Sequence, residues 1–164
     1  MGIKYLDIPE SISEKLSYDP ITGNLTWLVS TGRVKKGDIA GCLDSDNYLI
    51  VKYKGKIFKA ARVCWFLHYK EQPNFVIDHK NRVRSDNRVE NLRKTNQSKN
   101  VYNTKPRGKS KYKGVTWRKS RKMWLCRTKG HPDRTFNCEK EAALWYNMLM
   151  EKYHAGYGYY NKVF

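Results

Sequence analysis

Residues 77–103, IDHKNRVRSDNRVENLRKTNQSKNVYN, decide the reading of this chain. They gather Asp78, His79, Asn91, Asn96, Asn100 and Asn103 into a length that suits two short strands and a helix. Phe75-Val76-Ile77, following Pro73, reads as a strand that runs straight into Asp78-His79. Residues 97–104 read as a helix, which would let Asn100 face back towards Asp78. A neutral imidazole takes a proton from water near neutral pH. Carboxylate and amide oxygens suit a hard cation. Neighbouring strand residues point to opposite sides, so Asp78 and His79 serve one site only at a bend or a strand end. Taken singly, Asp78 reads as a turn or cap residue, His79 as a surface histidine and the asparagines as turn or cap residues. The constellation as a whole is what argues for chemistry.

Around this stretch the charge is one-sided. Lys and Arg number 33 against 15 Asp and Glu in 164 residues, a formal net charge of +18. An excess of that size implies a polyanionic partner, and nucleic acid is the commonest. A ribosome-associated or membrane-surface protein is the alternative that charge alone leaves open. No apolar run reaches the length of a membrane span, so no membrane partner is expected. The first residues, MGIKYLDIPE, lack the apolar stretch of a secretory leader. Cys42, Cys64, Cys126 and Cys138 form no CxxC pair, so they read as reduced packing residues and no structural zinc is expected. A cytoplasmic or nucleoid location follows as an expectation.

Residues 105–134 carry 12 basic residues and one acid, Asp133. Within them TKPRGKSKYKG, from Thr104, sets Pro106, Gly108 and Ser110 among lysines and reads as a linker. Two domains are expected, residues 1–104 and 105–164. In the first, residues 8–16 read as a short helix with Ser11 as its cap, and residues 24–29 as a strand. Residues 47–53 and 56–59 read as a hairpin about Lys54-Gly55, and residues 60–69 as a helix. In the second, residues 115–118, 124–129 and 134–136 read as strands. Residues 139–154 read as a helix whose Ala142, Ala143, Leu144, Trp145, Met148 and Leu149 cover one sheet face. The fold class is α+β.

Hydrolysis of a phosphodiester needs a nucleophilic water, a cation against the developing charge and help for the leaving oxygen. Asp78-His79, Asp86-Asn87-Arg88, Glu90-Asn91-Leu92-Arg93, Asn100 and Asn103 resemble the HNH endonucleases, particularly the phage homing type. Arg62-Val63-Cys64-Trp65 and YDPITGNLTWL, from Tyr18, resemble that family's N-terminal part. The resemblance implies a ββα-metal (His-Me finger) core at about residues 75–104. It implies that His79 is the general base, that Asn91 orients the loop and the histidine, and that Asp78 and Asn100 hold one divalent ion, Mg2+ or Mn2+. Asn103, an i,i+3 step from Asn100 on a shared helix face, is the second candidate for that ligand. It also implies a phage-infected bacterial cell as the setting. Arg82, Arg84, Arg88 and Arg93 read either as phosphate clamps or as general surface charge.

Beyond the linker, Lys113, Arg118, Arg121, Arg127, Lys129 and Arg134 interleave with Trp117, Trp124 and Phe136. A twisted sheet could bury one set and show cations on its other face. Trp124 reads as core packing against the helix, and Trp117 stays open. Tyr112-Lys113-Gly114-Val115, Trp124, Thr135-Phe136, Glu141-Ala142-Ala143, Tyr146 and Asn161 resemble the plant ethylene-response-factor DNA-binding domain. That resemblance implies three antiparallel strands on one helix, with the sheet in the major groove of duplex DNA. It implies DNA contacts from Lys113, Arg118, Arg127 and Lys129, to which Arg134 is added as a basic neighbour. Thr116 stands where that family usually has arginine, so base specificity does not carry over.

The reading that combines these parts is a site-recognising DNA endonuclease, nicking one strand per visit, as a monomer or weak dimer. A DNA-binding regulator that has lost hydrolytic activity and an RNA-binding protein are the competing readings.

Overall fold

The computed structural model describes residues 6–164. Met1–Tyr5, part of the stretch read for a leader, lie outside the described residues. The chain divides into two compact units, Met1–Asn96 and Gln97–Phe164, earlier than the expected boundary at 104/105. Among the described residues no helix is long and apolar enough to cross a membrane. Small antiparallel sheets and short helices make an α+β fold.

The first unit opens with a 3-10 turn, Glu10–Glu14, then β1 (Leu16–Tyr18) and β2 (Leu25–Trp27), which pair antiparallel. Ser11 does not cap that turn. The Pro9 preceding it offers no side-chain cap, and the Ser11 hydroxyl instead accepts hydrogen bonds from Tyr53 Oη (3.0 Å) and Lys54 Nζ (3.0 Å). Next come β3 (Cys42–Leu43), β4 (Leu49–Tyr53) and β5 (Lys56–Lys59), in the order β3-β4-β5. The Lys54-Gly55 turn places both residues at positive φ, 47° and 75°, as a tight hairpin requires. Helix α1 (Ala60–Tyr69) buries Ala60, Ala61, Val63, Cys64, Trp65 and Phe66, and ends at Lys70 in the left-handed region. These residues join Ile8, Ile12, Leu16, Leu25, Val51 and Phe58 in one apolar core. Arg62, on α1, donates to the carbonyl oxygens of Pro73 and Phe75, which fixes the chain's entry into β6 (Val76–His79). Strand β7 (Leu92–Thr95) pairs with β6, and Leu92 joins the core.

The second unit begins with α2 (Gln97–Tyr102). Strands β8 (Val115–Arg118), β9 (Met123–Cys126) and β10 (Arg134–Phe136) form an antiparallel sheet in the order β10-β9-β8, with α3 (Glu139–His154) packed on it. The buried face of α3 differs from the expected one. It consists of Ala142, Ala143, Tyr146, Leu149 and Met150, while Leu144 and Met148 are exposed. Ala142, Tyr146, Leu149 and Met150 follow the three-to-four-residue spacing of one helical face; Leu144 and Met148 lie one turn apart on another. Gly114, at φ +74°, passes so close to the Tyr146 ring that a Cβ there would overlap it, which accounts for glycine at this position.

Candidate active site

Strands β6 and β7 set the register of the site in the first unit. Asp78 faces Arg93 across the ladder and His79 faces Leu92. Asp78, His79, Asn87 and Asn91 are all buried, an unusual concentration of polar side chains in so small a unit. Each therefore needs partners, and most of those partners come from the loop between the strands.

Asn91 closes that loop. Its Nδ2 donates to the Asp86 carbonyl (2.7 Å), and its Oδ1 accepts from the Asn81 backbone N–H (2.9 Å). Its own carbonyl accepts from Lys80 N–H (2.9 Å). Asp86 braces the same loop by accepting from Asn81 Nδ2 (2.6 Å) and from Arg88 Nε and Nη2 (2.9 and 2.8 Å). The Arg88 hydrogen bonds are the main reason its carboxyl is held down at about 2, well below the ordinary carboxylate range.

The loop delivers Asn87 to the histidine. His79 Nε2 lies 3.0 Å from Asn87 Oδ1. An amide oxygen accepts only, so in this orientation Nε2 carries the proton and Nδ1 is the basic nitrogen. Burial is the largest influence on the imidazole and lowers its pKa; the Asn87 contact, Asp78 and Asp86 oppose that shift. Burial thus favours the neutral ring, the form in which a histidine acts as a general base. Asn87 is itself held from behind, its carbonyl accepting from Tyr18 Oη (2.7 Å). Gly23, at φ +79°, lies against the Asn87–Arg88 backbone with no room for a Cβ, and Val89 N–H donates to the Pro20 carbonyl (3.1 Å). The Tyr18–Asn24 turn is therefore a seat for the loop.

Asp78 accepts from Arg93 Nε (2.8 Å) and Nη2 (2.6 Å), both on Oδ2. Both donors converge on that one oxygen. Among the described residues no three His, Cys, Asp or Glu side chains gather as a metal cluster. The one carboxylate at hand, Asp78, is an oxygen donor of the kind that suits a hard divalent ion.

Residues 58–102 match the HNH endonuclease family model. The match covers less than half of the chain, from β5 through α2, and supports a nuclease of the HNH type acting on DNA. No curated protein and no solved structure matches the chain. The HNH segment crosses the division between the compact units: Asp78, His79 and Asn91 belong to the first, Asn100 and Asn103 to the second. Asn100 lies on α2, and Asn103, just past its end, is buried.

The other expected residues fall into several settings. Arg84 Nη1 donates to the Asp46 carbonyl (2.8 Å), and Arg88 pairs with Asp86 (2.8 Å) and Glu90 (2.9 Å). Arg93 is engaged with Asp78 inside the fold rather than held out as a surface clamp. Arg82 is exposed, at φ +66°.

In the second unit, Lys113 Nζ donates to the carbonyls of Val101 (2.7 Å), Tyr102 (2.9 Å) and Thr104 (2.6 Å), closing the end of α2. Arg127 forms a two-pronged pair with Asp133. Trp124 packs on the helix-side core; Trp117, its cross-strand partner, is 43% exposed and meets it edge-on at 5.1 Å. The register puts Arg134 on that same side, its guanidinium 4.1 Å over the Trp145 ring. Arg118 lies on the opposite face with Thr116, Leu125 and Thr135. Arg127 and Lys129 lie past the end of β9. The cations therefore do not form the single-faced row that simple alternation suggests.

Asn87, Tyr18 and Tyr48 are site residues that the sequence reading missed. Asn87 stood in the quoted pattern without a role, and its proximity to a histidine eight residues earlier depends on the loop's path. The Tyr48 ring lies 6.2 Å from that of His79.

Proposed function

We propose that this chain is a metal-dependent HNH endonuclease of the homing type, cutting duplex DNA at a recognised site and nicking one strand per visit. The observation that carries the reading is the buried His79 imidazole, tied through Nε2 to Asn87 Oδ1, with burial favouring its neutral form. Nδ1 is then the atom that removes the proton from an attacking water. Asn91 keeps the loop closed behind the ring. Arg93 fixes the carboxylate of Asp78 and compensates part of its charge.

Asp78 would hold the divalent ion, Mg2+ or Mn2+, and Asn100 would join it; the part given to Asn100 rests on the resemblance alone. When bound, that ion supplies positive charge against the developing phosphorane and the leaving oxygen. The second unit is proposed to be the ethylene-response-factor-like anchor, holding the nuclease on duplex DNA and raising its local concentration at the target. Exposed Arg118 and Lys129 are its candidate contacts, with Lys113, Arg127 and Arg134 closer to structural roles of their own.

Supercoiled plasmid incubated with the protein and Mg2+ tests this. Conversion to the nicked circle that is lost in His79→Ala is the expected outcome. The competing reading, a DNA-binding regulator without hydrolytic activity, draws support from the Asp78–Arg93 pair, which already compensates part of the carboxylate's charge. Tight binding with the plasmid left supercoiled would favour it.

A further inference from the structure

Beside His79 the first unit holds a cluster that the nuclease reading does not use. Lys59 Nζ sits 3.4 Å from the centroid of the Tyr48 ring, and the Arg84 guanidinium lies 4.8 Å from the same centroid. The turn before β4 makes this possible. Asp44 Oδ1 accepts from the backbone N–H groups of Asp46 and Tyr48 (both 2.9 Å), with Asn47 at φ +63°, and this fixes where Tyr48 starts. Lys59 ends β5 and pairs with Ile50, which puts it on the strand face away from Phe58 and the core.

The two cations differ in how they are held. Arg84 is tied to Asp46 through the backbone carbonyl (2.8 Å) and a long ion pair (3.9 Å). Lys59 Nζ makes no hydrogen bond to, and no ion pair with, any of the described residues, although its ammonium rests on an aromatic face. Burial is the largest influence on that ammonium and works against its protonation; Asp44 and then Asp46 favour it, and Arg84 opposes it least of the four. Two cations gathered round one ring, one of them without a hydrogen-bonding anion, suit a ligand anion that would bridge them. The His79 ring is the next aromatic neighbour of Tyr48.

We infer that Lys59 and Arg84, spaced by the Tyr48 ring, grip a DNA backbone phosphate of the strand presented to His79. The inference rests on the nuclease reading for its orientation and on the cluster geometry for the anion site. Tyr48 acts as the shared aromatic support of both cations. Lys59, with the less committed ammonium, makes the stronger new contact with phosphate.

The test uses the full chain. Binding to a short duplex is measured in EDTA by fluorescence anisotropy across a series of KCl concentrations, for wild type, Lys59→Met, Lys59→Arg and Tyr48→Leu. Losing one phosphate contact makes the log–log salt slope shallower by about 0.9. Lys59→Met and Tyr48→Leu are expected to show that loss and Lys59→Arg to keep the wild-type slope. In single-turnover cleavage, Lys59→Met raises KM more than it lowers kcat. A duplex with a neutral methylphosphonate at the contacted phosphate weakens wild type and leaves Lys59→Met unaffected. Should Lys59→Met fail to melt cooperatively, Lys59→Gln carries the same measurements, since Lys59 is exposed and outside the core. A folded variant with the wild-type slope and the wild-type KM overturns the inference. A wild type that binds with the Lys59-dependent slope but never cuts instead removes the nuclease reading and leaves the phosphate site standing.

Discussion

Asp78 and Arg93 face each other across the β6–β7 ladder, with Arg93 Nη2 2.6 Å from Asp78 Oδ2 and both side chains largely buried, 7% and 13% exposed. A carboxylate in that setting is costly without its partner, and breaking such a pair typically costs about 3–5 kcal/mol. Arg93→Ala is therefore expected to destabilise the protein by about 3 kcal/mol, read as a lowered urea midpoint at unchanged slope. A variant with the wild-type midpoint would show that the pair adds nothing to the fold.

Asn87 is the hydrogen-bond partner that opposes burial at the histidine. His79 acts as a base only when neutral, and burial lowers its pKa, so the acid limb of the pH–rate profile is expected below the ordinary histidine value. Asn87→Asp places an anion at the 3.0 Å contact with Nε2 and favours the imidazolium. The acid limb then moves to higher pH. Measuring single-turnover kcat/KM against pH for both proteins checks the direction; a limb that stays still or moves down contradicts the assignment.

Asp86 links the loop to pH. Its carboxyl is held at about 2 in the folded protein against 3.8 unperturbed, chiefly by Arg88. A depressed folded value adds stability that is fully present above the unfolded pKa and is lost as pH falls from about 4 towards 2. Asp86→Asn is expected to lower the Tm at pH 6 and to close the gap with wild type by pH 2. A gap that persists unchanged at pH 2 would assign the loss to something other than this charge.

The second unit includes α2. Lys113 Nζ rests on the carbonyls of Val101, Tyr102 and Thr104, and the Tyr102 ring stacks on His154 with centroids 4.0 Å apart. A fragment of residues 97–164 is expected to unfold cooperatively. One of residues 105–164 should be weaker by about 2 kcal/mol or more, since hydrogen bonds to a charged group are lost. Equal midpoints would place the true boundary at the linker.

Regular elements with strong periodicity were legible in the sequence. Helix α1 and helix α3 fall at residues 60–69 and 139–154 as read, and the β4–β5 hairpin follows from Lys54-Gly55. The two-residue strand β3 and the short β1 carry too little pattern to be seen. The inward side of α3 was misjudged because Leu144 and Met148 are as apolar as their neighbours, and only the sheet's position selects between faces. Asp78, His79 and Asn91 were legible as a constellation. The partners that set their behaviour (Arg93, Asn87, Tyr18) were not, because each depends on register or loop path that a linear pattern does not encode.

Single-turnover cleavage of an end-labelled duplex by wild type and His79→Ala, with and without Mg2+, tests the central claim most directly. The account predicts Mg2+-dependent scission by wild type and a fall of about 10²–10⁴-fold in His79→Ala, the size of a lost general base, with DNA binding preserved. Cleavage by His79→Ala at the wild-type rate, or no scission by a folded, DNA-bound wild type with Mg2+ or Mn2+, would contradict it.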